Sequence, residues 1–141
     1  RSGAGRIVMI GGDAARTTLT QFGGGKPGSS YAAGLGNALL VNFAKRLSNE
    51  TAKDGIVINV VHPSGGMKGE RFERRLHSRA ATRGISLEEA ESELASTMPI
   101  RRMIDPGDIA SLVLFLTSAQ AGAITGQSMA VDGGMNPSVN Y

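Results

Sequence analysis

Gly55-Ile56-Val57-Ile58-Asn59-Val60-Val61-His62-Pro63 is the stretch that decides the fold. From Val57 to Val61 the residues do not alternate between apolar and polar as a half-exposed strand would. A short, nearly unbroken apolar run suits a strand covered on both faces of a parallel sheet, and Pro63 stops it. Just upstream, Asp54-Gly55 supplies turn chemistry. That turn ends a helix predicted from about Ala33 to Ser48 by the stripe Leu35, Ala38, Leu39, Phe43 and Leu47. Ile7 to Ile10, bounded by Gly11 and Gly12, reads as another buried strand. Between them, Asp13 to Ser30 is rich in threonine, glycine and serine and has no sustained period, which predicts a loop or a loop with one short turn.

Downstream, the Lys68 to Leu94 region is helical in pattern but more polar. Ser86 and Glu89 are spaced as a capping box, so two helices are expected there. Asp105-Pro106 places an N-cap residue before a proline at the first helical position, and Ile109, Leu112, Val113 and Leu116 mark one apolar face. A last strand, Ser128 to Val131, ends at Asp132-Gly133-Gly134. Strand, helix, strand, helices, strand is the order of right-handed parallel crossovers. We therefore expect three parallel strands flanked by helices in one α/β domain spanning residues 1–141.

Composition narrows the function classes. The chain has 141 residues, 40% hydrophobic and 19% charged, enough for one compact core and unlike a disordered segment. No apolar run approaches the ~18 residues of a membrane span and no signal-peptide pattern opens the chain, so a cytoplasmic protein without membrane partners is expected. The absence of cysteine excludes disulfides, thiolate nucleophiles and zinc-thiolate sites, and the two histidines, His62 and His77, cannot alone make a metal centre. A net charge of +3, with the basic residues gathered between Lys68 and Arg83, gives no nucleic-acid-binding stripe. Because Arg1 stands where a methionine would open a gene product and a strand follows almost at once, a preceding segment is expected.

Several stretches together resemble the second half of the short-chain dehydrogenase/reductase family. Gly5-Arg6-Ile7-Val8 is similar to its fifth strand, and Gly55 to Pro63 to its sixth strand and the cofactor-facing turn after it. Pro99-Ile100-Arg101-Arg102, Asp105 to Ala110 and Phe115-Leu116-Thr117-Ser118 resemble its late helices. Ile124-Thr125-Gly126-Gln127 with Val131-Asp132-Gly133-Gly134 resembles its last strand. The resemblance implies the C-terminal half of a Rossmann-type doubly wound parallel sheet. It further implies hydride transfer between NAD or NADP and the carbonyl or alcohol of a small-molecule substrate, in a homo-oligomer. It also implies cofactor contacts at Gly11, Gly12, Pro63, Ser64 and Gly65. The family's tyrosine acts as general acid/base, a lysine one helical turn later lowers its pKa, and a serine binds the substrate oxygen.

The catalytic positions depart from this pattern. Tyr31 precedes Ala32-Ala33 as the family's tyrosine does and is the candidate acid, but Leu35 stands four residues on. Alignment on Phe43-Ala44-Lys45-Arg46-Leu47 instead puts Ala33 at the tyrosine position and Asn37 at the lysine position. Neither leucine nor asparagine carries charge to draw a phenol's pKa down from ~10. Gly11-Gly12 replaces the serine, for which Thr17, Thr18, Ser29 or Ser30 are the available substitutes, and Lys68 stands where the family's threonine holds the cofactor amide.

Two readings follow: a partial chain of a reductase, or a non-catalytic relative serving as an oligomerising ligand-binding module. Gly23, Gly25 and Gly28 satisfy a dinucleotide pattern formally, but Pro27 interrupts it and no strand runs into it. Without the family's first strand-to-helix turn this polypeptide alone is expected not to hold a dinucleotide. The basic residues Arg71, Arg74, Arg75, Arg79 and Arg83 fit a mobile lid over an acidic substrate group, or a solvated helix face balanced by glutamates. His62 reads as a structural residue at a strand end, and Ser64 lacks the glycines of a nucleophile elbow.

Overall fold

The computed structural model describes residues 5–16, 29–64 and 66–137, with the side chains of residues 29 and 30 left out. Among the described residues three strands, β1 (Gly5–Ile10), β2 (Ile56–Pro63) and β3 (Ser128–Val131), form one sheet in the order β1-β2-β3. Both pairings are parallel: Gly5 to Ile10 match Ile56 to Val61, and Val60 to Pro63 match Ser128 to Val131. Helix α1 (Ser29–Thr51) joins β1 to β2, while α2 (Glu70–Arg83), α3 (Leu87–Ser96) and α4 (Pro106–Thr117) lie between β2 and β3. The expected topology is the observed one. Pro63 does not stop β2 before itself but is its last residue, paired with Val131.

Side chains alternate across the sheet because successive residues of a strand point to opposite faces. Ile58 and Val60 meet Ala44 of α1 on one face. Val61 joins Phe72, Leu76, Leu94, Ile109 and Leu116 from α2, α3 and α4 on the other. The central strand is thus covered on both sides, as its unbroken apolar run requires. Both predicted caps are present. Ser86 Oγ accepts from the Glu89 N–H at 3.1 Å, and the Asp105 side chain accepts from the Gly107 N–H at 2.8 Å.

Two expectations about α1 need correction. The helix begins at Ser29 rather than near Ala33, because its first turns rest on the short turn Asp13–Ala15. A β-carbon at Gly34 would stand 3.3 Å from the Ala14 carbonyl oxygen. The stripe Leu35, Leu39 and Phe43 does not face the sheet either. All three are exposed, and the inward side carries Leu40, Ala44, Leu47 and Ser48, whose smaller buried members let the helix approach β2 closely.

The start of β3 is latched to β2 through polar groups. Asn59 Nδ2 donates to the Ile124 carbonyl at 2.7 Å, its Oδ1 accepts from the Gln127 N–H at 3.0 Å, and the Gly126 N–H donates to the Ile58 carbonyl at 2.6 Å. Gly126 adopts φ 67°, and a β-carbon there would lie 2.5 Å from Ser48 Oγ, so both backbone and space demand glycine.

Candidate active site at the strand ends

Parallel strands deliver their C-terminal ends to one edge of a sheet, where open α/β folds place ligands. Gly11-Gly12 follows β1 at that edge and Ser64 follows β2. The Gly11 N–H donates to the Val61 carbonyl at 2.9 Å and the Ser64 N–H to the Val131 carbonyl at 3.3 Å, so the ends are held level. The structure therefore brings Gly11, Gly12, Pro63 and Ser64 together. Gly65, Thr17, Thr18 and the Gly23-Gly25-Gly28 pattern lie outside the described residues, as do the side chains of Ser29 and Ser30. Ser64 is buried and its Oγ accepts from the Gly66 N–H at 3.1 Å, which makes it the builder of a turn.

Helix α1 passes over this edge and presents Asn37. A β-carbon at Gly12 would stand 3.4 Å from Asn37 Nδ2, and one at Gly11 would stand 3.2 Å from Asn37 Oδ1. Asn37 Nδ2 also donates to the Ala33 carbonyl at 2.8 Å, which fixes the carboxamide along the helix. Tyr31 is 73% exposed and Leu35 74% exposed. At roughly 100° per residue, Tyr31 stands about 120° around the helix from Asn37. Lys45, the single lysine of α1, sits beside Gly126, ahead of β3 and away from the strand ends.

His62 lies fully buried at the end of β2, with Nε2 2.7 Å from Ser128 Oγ. Arg16 Nη2 donates to the Ser128 carbonyl at 2.7 Å, so the turn after β1 is tied to β3 as well. His62 Nδ1 is buried without a well-formed hydrogen bond. Burial pushes the imidazole below its usual pKa. The Gly12 backbone opposes that shift, and nearby Arg16 and Asp13 act in opposite directions. In the fold the ring is neutral where the unfolded chain, near 6.5, begins to protonate. Its contribution to stability is complete above about pH 6.5 and is lost as pH falls below it. We expect the thermal midpoint to drop as pH falls below about 6.5, with a shallower slope in His62→Gln, as read by calorimetry at each pH.

The basic segment is largely neutralised. Lys68 Nζ lies 2.6 Å from Glu91 Oε1, Arg74 pairs with Glu70, and Arg79 and Arg83 share Glu93. Glu91 holds the Lys68 ammonium above its usual pKa and directs it toward α3. Among the described residues no group of three or more potential ligands could hold a metal ion, and no helix is long and apolar enough to cross a membrane. Reading the sequence missed Ser128 and Arg16, which carry no motif and reach the site only through pairing of distant strands. The Asn37 contact was present only as one of two alignment registers.

Residues 3–136 match the family described as Enoyl-(Acyl carrier protein) reductase. The chain is 31% identical over 115 residues to the NADPH-dependent reductase BacG of Bacillus subtilis (strain 168), covering 81% of this chain and 44% of that protein. It is 34% identical over 134 residues to a tropinone reductase homolog of Arabidopsis thaliana, covering 95% of this chain and 44% of that protein. The crystal structure of L-sorbose reductase from Gluconobacter frateurii, complexed with NADPH and L-sorbose, superposes with a TM-score of 0.80. It is 25% identical, over 97% of this chain and 49% of that one. The chain thus spans less than half the length of these curated relatives. With the family match over residues 3–136, three parallel strands and helices on both faces, the chain belongs to the short-chain dehydrogenase/reductase family.

Proposed function

We propose that this chain is the substrate-side half of an NAD- or NADP-dependent oxidoreductase acting on the carbonyl or alcohol of a small molecule. The observation that carries the reading is the gathering of Gly11, Gly12, Pro63, Ser64 and Asn37 at the C-terminal edge of the sheet. NADPH is favoured over NADH because BacG and the L-sorbose reductase are, by name, NADPH-dependent or NADPH-bound. The residues present fit the nicotinamide end of such a cofactor. Gly12 has an extended backbone, and a β-carbon there would meet nothing nearer than the Asn37 carboxamide at 3.4 Å, so a flat ring can approach the chain closely. Gly12, Pro63 and Ser64 would line that approach. The pyrophosphate needs a glycine-rich strand-to-helix turn, which these residues do not supply.

When bound, the cofactor supplies the hydride. Asn37 orients polar groups through its carboxamide but brings no positive charge to steady a phenolate, and Tyr31 as the acid would have to act from an exposed position. The registers differ in what supports them: Asn37 touches the site, while Tyr31 carries the sequence match. In either register acid/base assistance is weak, which favours slow turnover.

The second reading, an oligomerising ligand-binding relative, draws on the exposed row Tyr31, Leu35, Leu39 and Phe43 along α1. Four residues at i, i+4 spacing form one apolar stripe, and water-exposed stripes of this kind mark contact surfaces. The two readings share a homo-oligomer, small-molecule ligands and a cytoplasmic location beside the nicotinamide pool. The test is titration of the intact protein with NADPH and NADH, followed by nicotinamide fluorescence and by absorbance change with a carbonyl panel. We expect NADPH to bind and to be oxidised slowly. Binding without oxidation would favour the second reading, and the absence of binding to either cofactor would overturn the first. Sedimentation of the same sample at micromolar concentration should give an oligomer.

A further inference from the structure

We infer that His62 and Gly11 are one coupled change. The imidazole fills the space that a side chain at residue 11 needs, so a side chain can enter the site from that strand end only at residue 12. A β-carbon at Gly11 would lie 2.8 Å from both Cε1 and Nδ1 of His62, closer than real contacts allow. The backbone is not the cause, since Gly11 is not among the glycines with positive φ. Nor can the ring give way. It is fully buried, its Nε2 is held on Ser128 Oγ at 2.7 Å, and its strand is paired on both sides. At the neighbouring position the situation reverses. Gly12 has φ −151°, an extended backbone open to any residue, and a β-carbon there meets nothing nearer than 3.4 Å. A serine placed at 12 would therefore set its hydroxyl beside the Asn37 carboxamide, whereas a serine at 11 would collide with the imidazole.

The inference stands on packing, so it holds or fails independently of whether the intact protein turns over a substrate. The test is a double-substitution cycle in the full-length protein, read by thermal unfolding. Gly11→Ser should lower the midpoint by roughly 5 °C or more, as overpacked sites do. His62→Ala should lower it too, by opening a void and releasing Ser128. The double variant should melt within about 2 °C of His62→Ala alone, because the collision with the ring is gone and only the 3.2 Å approach to Asn37 Oδ1 remains, and Gly12→Ser should shift the midpoint by less than about 2 °C. If Gly11→Ser does not fold, recovery of a folded protein in the double variant supports the coupling, and failure of the double while His62→Ala folds overturns it. Equal cost of Gly11→Ser with and without His62, or a Gly12→Ser penalty as large as that of Gly11→Ser, also overturns it.

Discussion

Placing tyrosine at Ala33 together with lysine at Asn37 in the intact protein should raise carbonyl reduction by NADPH ~100- to 10,000-fold, the usual worth of acid/base assistance. The side chain of residue 37 reaches both Gly11 and Gly12, and residue 33 lies one helical turn before it, its carbonyl already accepting from Asn37. An ammonium at 37 would favour phenolate at 33 and draw its pKa down from about 10. The pH optimum should move downward with the rate. Leu35→Lys should add nothing and Tyr31→Phe should leave the rate within about twofold, because both side chains point into solvent. Steady-state NADPH oxidation separates the cases. A large gain from Leu35→Lys, or a loss beyond tenfold from Tyr31→Phe, would return the acid's role to Tyr31.

The largest effect on stability belongs to Asn59. Asn59→Leu keeps the volume but strands the Ile124 carbonyl and the Gln127 N–H, both bonded to this side chain at 2.7 and 3.0 Å. A fully buried group left without a partner costs about 1–3 kcal/mol, and because both bonds are part-buried and Gln127 itself is exposed, a loss of about 2 kcal/mol is expected. That is a large part of the 5–15 kcal/mol typical of a domain. A urea midpoint shift at unchanged slope measures it, and a change below about 1 kcal/mol would mean that water replaces both bonds. Thr125→Val, which removes the hydroxyl that accepts from the Ile58 N–H at 3.0 Å, should cost less.

The sheet was legible because its signals are local. Val57 to Val61 is a short apolar run that burial on both faces accommodates. Ile7 to Ile10, read from its composition as an equally buried strand, lies instead at the edge of the described sheet, with Ile7 41% and Ile10 55% exposed. An apolar run thus marks a strand without telling a central one from an edge. Ser86 with Glu89 and Asp105 with Pro106 satisfy helix starts within a few residues of sequence. The α1 stripe misled for a physical reason. Leu35, Leu39 and Phe43 form an i, i+4 row that the sheet does not cover, while the face against β2 sets Leu40 and Leu47 around the fully buried, small Ala44 and Ser48. Periodicity reports that a helix has an apolar side, not which surface covers it. The site was legible only as far as the strand ends, through Gly11-Gly12 and Pro63-Ser64. What His62 and Asn37 do there depends on a β-carbon missing from Gly11, and that contact joins residues far apart in sequence. No window of sequence contains it.

The latch between β2 and β3 also bears on how the chain reaches this structure. Every rung of the sheet joins distant residues: the His62–Ser128 contact spans 66 positions and the Gln127–Asn59 bond 68. Helices such as α3 and α4 can form early because their caps are local, but β2 must wait for β3 to emerge before its second edge is covered. Loop closure over such separations is paid before any pairing rewards it, which makes parallel sheets slow to assemble. During synthesis the most apolar strand of the chain is therefore also the one left longest with an open edge. Its tendency to associate with neighbouring chains is greatest before residues 124–131 leave the ribosome.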